Sequence, residues 1–173
     1  INTSGGIVDN IASADAIAPA GGLYGGTGAD ANALSSVNAE AYFGANVNVT
    51  AGQTITIQSL SYNKAIANAK GITGGAFAAV GATLADANAG GNTKAYVNGK
   101  INQAGALQML AQGYAISSAD STGVAGGGVA AGSGNYAKAV SAPVVLAYLG
   151  NGADVTVTGD LAIYAQSIGS ANA

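Results

Sequence analysis

Val155-Thr156-Val157-Thr158-Gly159-Asp160-Leu161-Ala162-Ile163-Tyr164-Ala165 decides the fold. Val155 and Val157 alternate with threonine up to Gly159, and Leu161 and Ile163 resume the alternation after it. A period of two puts one row of side chains on a buried face and the other in water, which is the pattern of a strand. Three more stretches share the design: Val47 and Val49 before Gly52 with Ile55 and Ile57 behind, Ile101 before Gly105 with Leu107 and Met109 behind, and Ile1 before Gly5 with Ile7 behind. A glycine at the same place each time marks a turn or kink where a Cβ would clash. Asn48, Thr50, Thr54, Thr56, Thr156 and Thr158 fill the outward positions, and β-branched threonine suits a pleated strand.

Upstream of these stretches lies a second recurring phrase. Ala41-Tyr42-Phe43-Gly44, Ala95-Tyr96-Val97-Asn98 and Ala147-Tyr148-Leu149-Gly150 place their tyrosines 54 and 52 residues apart. Ala41, Phe43, Ala45, Val47 and Val49 share one parity, so the tyrosine phrase reads as the end of a strand that feeds the next. Self-similarity at a fixed period is the mark of a stacked repeat architecture. The chain therefore reads as a single repetitive β domain over 1–173, with units 1–46, 47–100, 101–154 and a partial 155–173. Starting and stopping inside its own repeat, it is expected to be a piece of a longer array or a subunit completed by a neighbour.

The remainder of each unit is rich in glycine and alanine, as in Ala65-Ile66-Ala67-Asn68-Ala69 and Ala85-Asp86-Ala87-Asn88-Ala89. Alanine favours helices, but the two-residue alternation and the runs Gly74-Gly75 and Gly126-Gly127-Gly128 oppose one. Leu107, Leu110, Ala111 and Tyr114 do carry helical spacing. Their equivalents in the other units alternate, so strand is expected there too. The fold class is all-β. A repeat-built β-solenoid, with either one wide rung of 54 residues or two of about 27, is favoured over an antiparallel β-sandwich of the pilin type. Pro19 and Pro143 fall at different repeat phases and mark edges or corners.

Composition bounds the chemistry. Of 173 residues, 40 are alanine and 28 glycine, and only 8% are charged, against about 25% in ordinary domains. Such a chain predicts a thin core lined by small side chains. A 49% hydrophobic content with a net charge of −3 opposes disorder. Five scattered lysines and no arginine form no basic patch for a phosphate backbone, so no nucleic-acid partner is expected. No apolar run reaches the roughly 18 residues needed to span a bilayer, and no signal peptide is visible at Ile1. Without histidine or cysteine the usual nucleophile–base pairs and zinc sites are missing. No catalytic, cofactor or metal residues are assigned, no cofactor is expected, and an enzyme is not expected.

The carboxylates Asp9, Asp15, Asp30, Glu40, Asp86, Asp120, Asp154 and Asp160 read as solvated loop residues rather than an acid pair. Gly26-Thr27-Gly28-Ala29-Asp30 and Gly150-Asn151-Gly152-Ala153-Asp154 approach calcium loops but offer one carboxylate each. Gly126-Gly127-Gly128 lacks the lysine of a phosphate loop. The repeated tyrosines read as a packing ladder, each ring on its equivalent one unit away, in preference to a platform for sugars or bases.

In its Ala-Tyr-apolar-Gly phrase, its 155–165 segment and its Ala/Gly-rich filler, the chain resembles the repeat region of large secreted bacterial filamentous adhesins, the leukotoxin-like filamentous adhesin group. The resemblance implies a secreted or cell-surface β-solenoid with a structural or adhesive role. The expected function is thus a unit of an extracellular filament or adhesin stalk. Its partners would be further copies of itself or neighbouring repeats, and surface glycans. The alternatives are a pilin-like subunit completed by a donor strand and a surface module binding glycan or ice.

Overall fold

In the computed structural model, which describes residues 2–4 and 8–173, the two-residue alternation becomes four stacked turns of chain. The first holds β1 (Asn2–Ser4) and β2 (Val8–Phe43), and the second β3 (Asn48–Thr50) and β4 (Thr54–Val97). The third holds β5 (Lys100–Ala104), β6 (Ala106–Gly127) and β7 (Ala130–Leu149), and the fourth β8 (Asp154–Val157) and β9 (Leu161–Asn172). Every strand pairing among the described residues is parallel. That excludes the antiparallel sandwich and makes the fold a β-solenoid.

Register fixes the width of a turn. Tyr42 pairs with Tyr96 and Tyr96 with Tyr148, so one rung uses a whole repeat and the two-rung reading of about 27 residues is ruled out. Ile101 pairs with Val155, as the unit alignment has it, whereas Asn2 pairs with Thr56. The first turn thus enters alongside the start of β4. Sequence spacing had instead set Ile1 level with Val47; Ile1, like Gly5 and Ile7, lies outside the described residues.

Each rung is a flattened loop. In the second turn an outgoing arm runs from Thr54 to the bend at Gly75–Ala78, a return arm runs back to Val97, and β5 begins the next turn on a short third side, in the small sheet β3-β5-β8. The bend does not break the ladder: β4 stays paired with β2 below and with β6 and β7 above, which is why it counts as one strand of 44 residues. At about 3.3 Å per residue, an arm of some twenty residues is roughly 65 Å long. Four levels about 4.8 Å apart are far shorter than that, so the described body is a slab wider than it is tall.

The two arms face each other across a narrow interior. Ser61 and Thr93 hydroxyls meet at 2.5 Å, and a Cβ built on Gly71 would stand 2.8 Å from Thr83 Cγ2. Between those points Asn63 is buried too, and the other inward residues of the outgoing stretch are alanine. Ala65, Ala67 and Ala69 on one arm pack with Ala85, Ala87 and Ala89 on the other, all at most 3% exposed. Where the third side opens the loop, larger residues fill the space: Phe43, Ile55, Ile57, Val97, Ile101, Leu107 and Met109 form a second cluster. Leu107 and Met109 enter it because β6 is held in register with Ile55 and Ile57. That long-range pairing overrides the local helical spacing of 107–114.

Pro19 and Pro143 lie in β2 and β7, each of which has a neighbour on one side only among the described residues. The doubly paired β4 contains no proline, as the missing N–H requires. The recurrent glycines behave as expected where a rung lies beneath them: a Cβ on Gly159 would stand 2.6 Å from the Gly105 carbonyl oxygen, and one on Gly105 would stand 3.2 Å from Gln53. Gly91 is constrained differently. Its φ of +121° is one L side chains rarely adopt, and a Cβ there would drive into the Val37 backbone.

Two substitution pairs test this packing. Ala67→Leu overfills the slab and should destabilise by about 1–3 kcal/mol, whereas Ala82→Leu on the outer face should stay within about 0.5 kcal/mol. Gly91→Ala should likewise cost about 1–3 kcal/mol through backbone strain. Gly132→Ala, which has open space around it, should be nearly neutral by denaturant titration.

Candidate functional surface

The outward residues of each arm line up in columns that run along the stacking axis, so the functional surface is a set of ladders. Asn38 bonds Asn92 at 3.0 Å, Asn48 accepts from Asn102, and Gln112 donates to Gln166 at 2.8 Å. Three ion pairs connect in-register partners on adjacent levels: Lys94–Glu40 at 3.0 Å, Lys100–Asp154 at 2.8 Å and Lys138–Asp86 at 3.5 Å. Asp15 receives a 2.7 Å bond from Asn68 one level above.

The tyrosine phrases make the continuous ladder expected of them. Tyr42 and Tyr96 stack with centroids 4.9 Å apart and planes 3° off parallel, and Tyr96 and Tyr148 follow at 5.2 Å and 8°. These spacings match the rise between paired strands. Each ring face inside the column is covered by another ring, which removes the surface a sugar would stack on.

Glu40 is the electrostatic centre of this column. It accepts bonds from Lys94 Nζ and, at 3.4 Å, from the Tyr96 hydroxyl. The hydrogen bond and charge of Glu40 hold the Lys94 ammonium above the ordinary lysine value of 10.5. Burial pushes the Tyr96 phenol above 10.0, with the Glu40 charge adding to it.

Seven of the eight carboxylates are strand residues and not loop residues, Asp160 being the exception. Asp9, Asp15, Asp30 and Glu40 lie in β2, Asp86 in β4, Asp120 in β6 and Asp154 in β8. The reason is the alternation itself: an acid following an inward alanine points to water without leaving the strand. Asp30, Asp86 and Asp120 each accept from a residue two positions on, Asn32, Asn88 and Thr122. No group of three or more acidic side chains is gathered at one point among the described residues. Asp30 and Asp154, the carboxylates of the two calcium-like stretches, are on different sides of the rung, and Asp154 is paired with Lys100.

A second tyrosine pair escaped the sequence reading. Tyr62 and Tyr114 are in register on the outer face of the outgoing arm, 6.4 Å apart and tilted by 38°. Their 52-residue separation equals that of Tyr96 and Tyr148, and that spacing was the signal available. With Leu60 and Asp9 they line an open groove of about 300 Å³. A neighbouring groove of about 460 Å³ on the same arm includes Gln58, Gln108, Asp160 and the exposed Tyr164. No helix among the described residues is long and apolar enough to cross a membrane. No protein-family model, curated protein or solved structure matches the chain.

The raised values at Lys94 and Tyr96 set a sign for alkaline stability. Each group holds its proton more tightly when folded, so its contribution is complete below the ordinary value and fades as pH rises through the folded one. The midpoint of thermal unfolding should therefore fall as pH passes about 10–11. The fall should be shallower in Glu40→Gln, and small in both because the pair is partly solvated.

Proposed function

We propose that this chain is a structural unit of an extracellular filament or adhesin stalk, lengthened by further rungs of the same kind. The observation that carries the proposal is the pair of open edges. Among the described residues β2, 36 residues long, is paired only through β4, and β7 likewise. Long regular edges present rows of free N–H and C=O groups that template another strand, and proteins cover them. In a parallel stack the covering element is another rung, whether from continuing chain or from a second copy. The outer ladders support the same reading, because an Asn, Gln or Tyr column gains a contact from each added level. Placement outside the cell rests on the resemblance in the repeat phrases.

The edges make association the decisive experiment. Concentrated protein should sediment as large species. Electron micrographs should show ribbons with a repeat of about 4.8 Å along their length, the spacing of stacked strands. A monomer that persists at high concentration, with no ribbons in native material, would rule the proposal out.

A further inference from the structure

We propose that the groove between Tyr62, Tyr114, Leu60 and Asp9 is a subsite for a neutral glycan, and that the glycan runs along the outer face of the outgoing arm toward Tyr164. This goes beyond the structural role and does not depend on it.

The two tyrosine columns differ in the property that matters. In the 42–96–148 column the rings lie within 8° of parallel and cover one another. In the 62–114 pair the rings are 6.4 Å apart and tilted by 38°, and a space of about 300 Å³ opens against them with Leu60 as its other apolar wall. That volume sits at the lower end of small-ligand sites, about 300–1,000 Å³. Aromatic rings with polar tips suit a ligand that is apolar on its faces and polar on its rim, as a pyranose is, with C–H bonds on its face and hydroxyls at its edge.

The rim supplies the polar half. The Asp9 carboxylate stands below Tyr62 in the same column, and it has no hydrogen-bond or ion-pair partner among the described residues. Beside Tyr62 the Leu60 column continues through Gln112 and Gln166, whose amides are fixed to each other at 2.8 Å. That bond leaves the Gln112 carbonyl oxygen to accept and the Gln166 amide nitrogen to donate. Charge selects no ionic ligand: Asp9 in the groove and Lys64, in the column on the other side of Tyr62, have opposite signs and oppose each other. The Tyr62 column and the Gln58 column that Tyr164 ends are four residues apart along the strand, roughly 13 Å. An oligosaccharide of several units spans that distance, with amide groups between the two aromatic ends.

Titration of the protein with cellohexaose, chitohexaose and laminarihexaose, followed by NMR of the tyrosine rings, tests the assignment. At least one hexaose should shift the Tyr62 and Tyr114 resonances and leave Tyr96 unmoved. Tyr62→Leu with Tyr114→Leu keeps apolar cover on the sheet and should weaken that binding about tenfold. Tyr62→Phe with Tyr114→Phe, which retains the ring faces, should bind within about threefold of the parent. Should the leucine variant fail to fold, Gln112→Ala carries the same test through the rim, with weaker binding expected. No shift with any of the three at millimolar concentration, or undiminished binding in the folded leucine variant, would overturn the proposal.

Discussion

The closeness of two parallel sheets governs everything else in this protein. Outgoing and return arms approach until an alanine on one meets an alanine on the other, and a methyl group more has nowhere to go. The unusual composition follows from that single distance. A slab this thin has no room for bulky side chains, so they collect where the third side widens the rung, around Ile55, Ile57, Val97, Ile101, Leu107 and Met109. Little apolar area is buried per alanine, and the backbone ladders between rungs must contribute correspondingly more of the cohesion. Charge is nearly confined to the outer faces, because an ion inside would be desolvated without a partner.

That constraint explains what was legible in the chain. Strand alternation around Val155–Ile163, the repeat and the alanine lining were visible, because a two-residue period and a fifty-residue period both survive in a linear string. Rung width was not, since one wide turn and two narrow ones share the same alternation, and only pairing such as Tyr96 with Tyr148 decides between them. Asp15, Asp30, Glu40 and Asp86 were misplaced into loops because an acid in a strand contradicts propensity. Here a flanking inward alanine on each side overrides it. The Tyr62–Tyr114 pair has no distinctive neighbours in sequence. Its opening depends on ring tilt, which no spacing encodes.

The polar side chains inside were hidden for a related reason. Ser, Thr and Asn also fill the wet face, as at Asn48, Thr50, Thr54 and Thr56, so residue type does not mark the inward ones. Yet Ser35, Ser59, Ser61, Asn63, Thr83, Thr93 and Ser117 are all at most 2% exposed. They survive there by bonding across the slab, Ser61 to Thr93, Thr83 to Ser121 and Ser59 to the Ala39 carbonyl, and along the stack, Thr83 to Asn135. Buried and unpaired, each would cost about 1–3 kcal/mol. Burial is tolerated where the opposite arm is near enough to supply a partner, so the short separation that favours alanine also satisfies these hydroxyls, whereas the Thr27 and Thr73 hydroxyls are buried without one.

These inner columns answer a problem that a uniform alanine slab would have. Slipping one arm by a single residue turns every side chain to the wrong face and is strongly disfavoured. Slipping by two keeps inward residues inward and replaces alanine with alanine, at little loss. With polar columns on both flanks of the alanine stripe, a two-residue slip separates Ser61 from Thr93 and Thr83 from Asn135, leaving hydroxyls buried against methyl groups. On the outside, the same slip would part Glu40 from Lys94 and Tyr42 from Tyr96. The surface ion pairs contribute little stability singly. Their effect is on choice among registers, where each one broken adds to the penalty set by the hydroxyls within. A low-diversity sequence thus specifies one stacking register: small residues set the distance, and sparse polar residues at fixed repeat phases set the alignment.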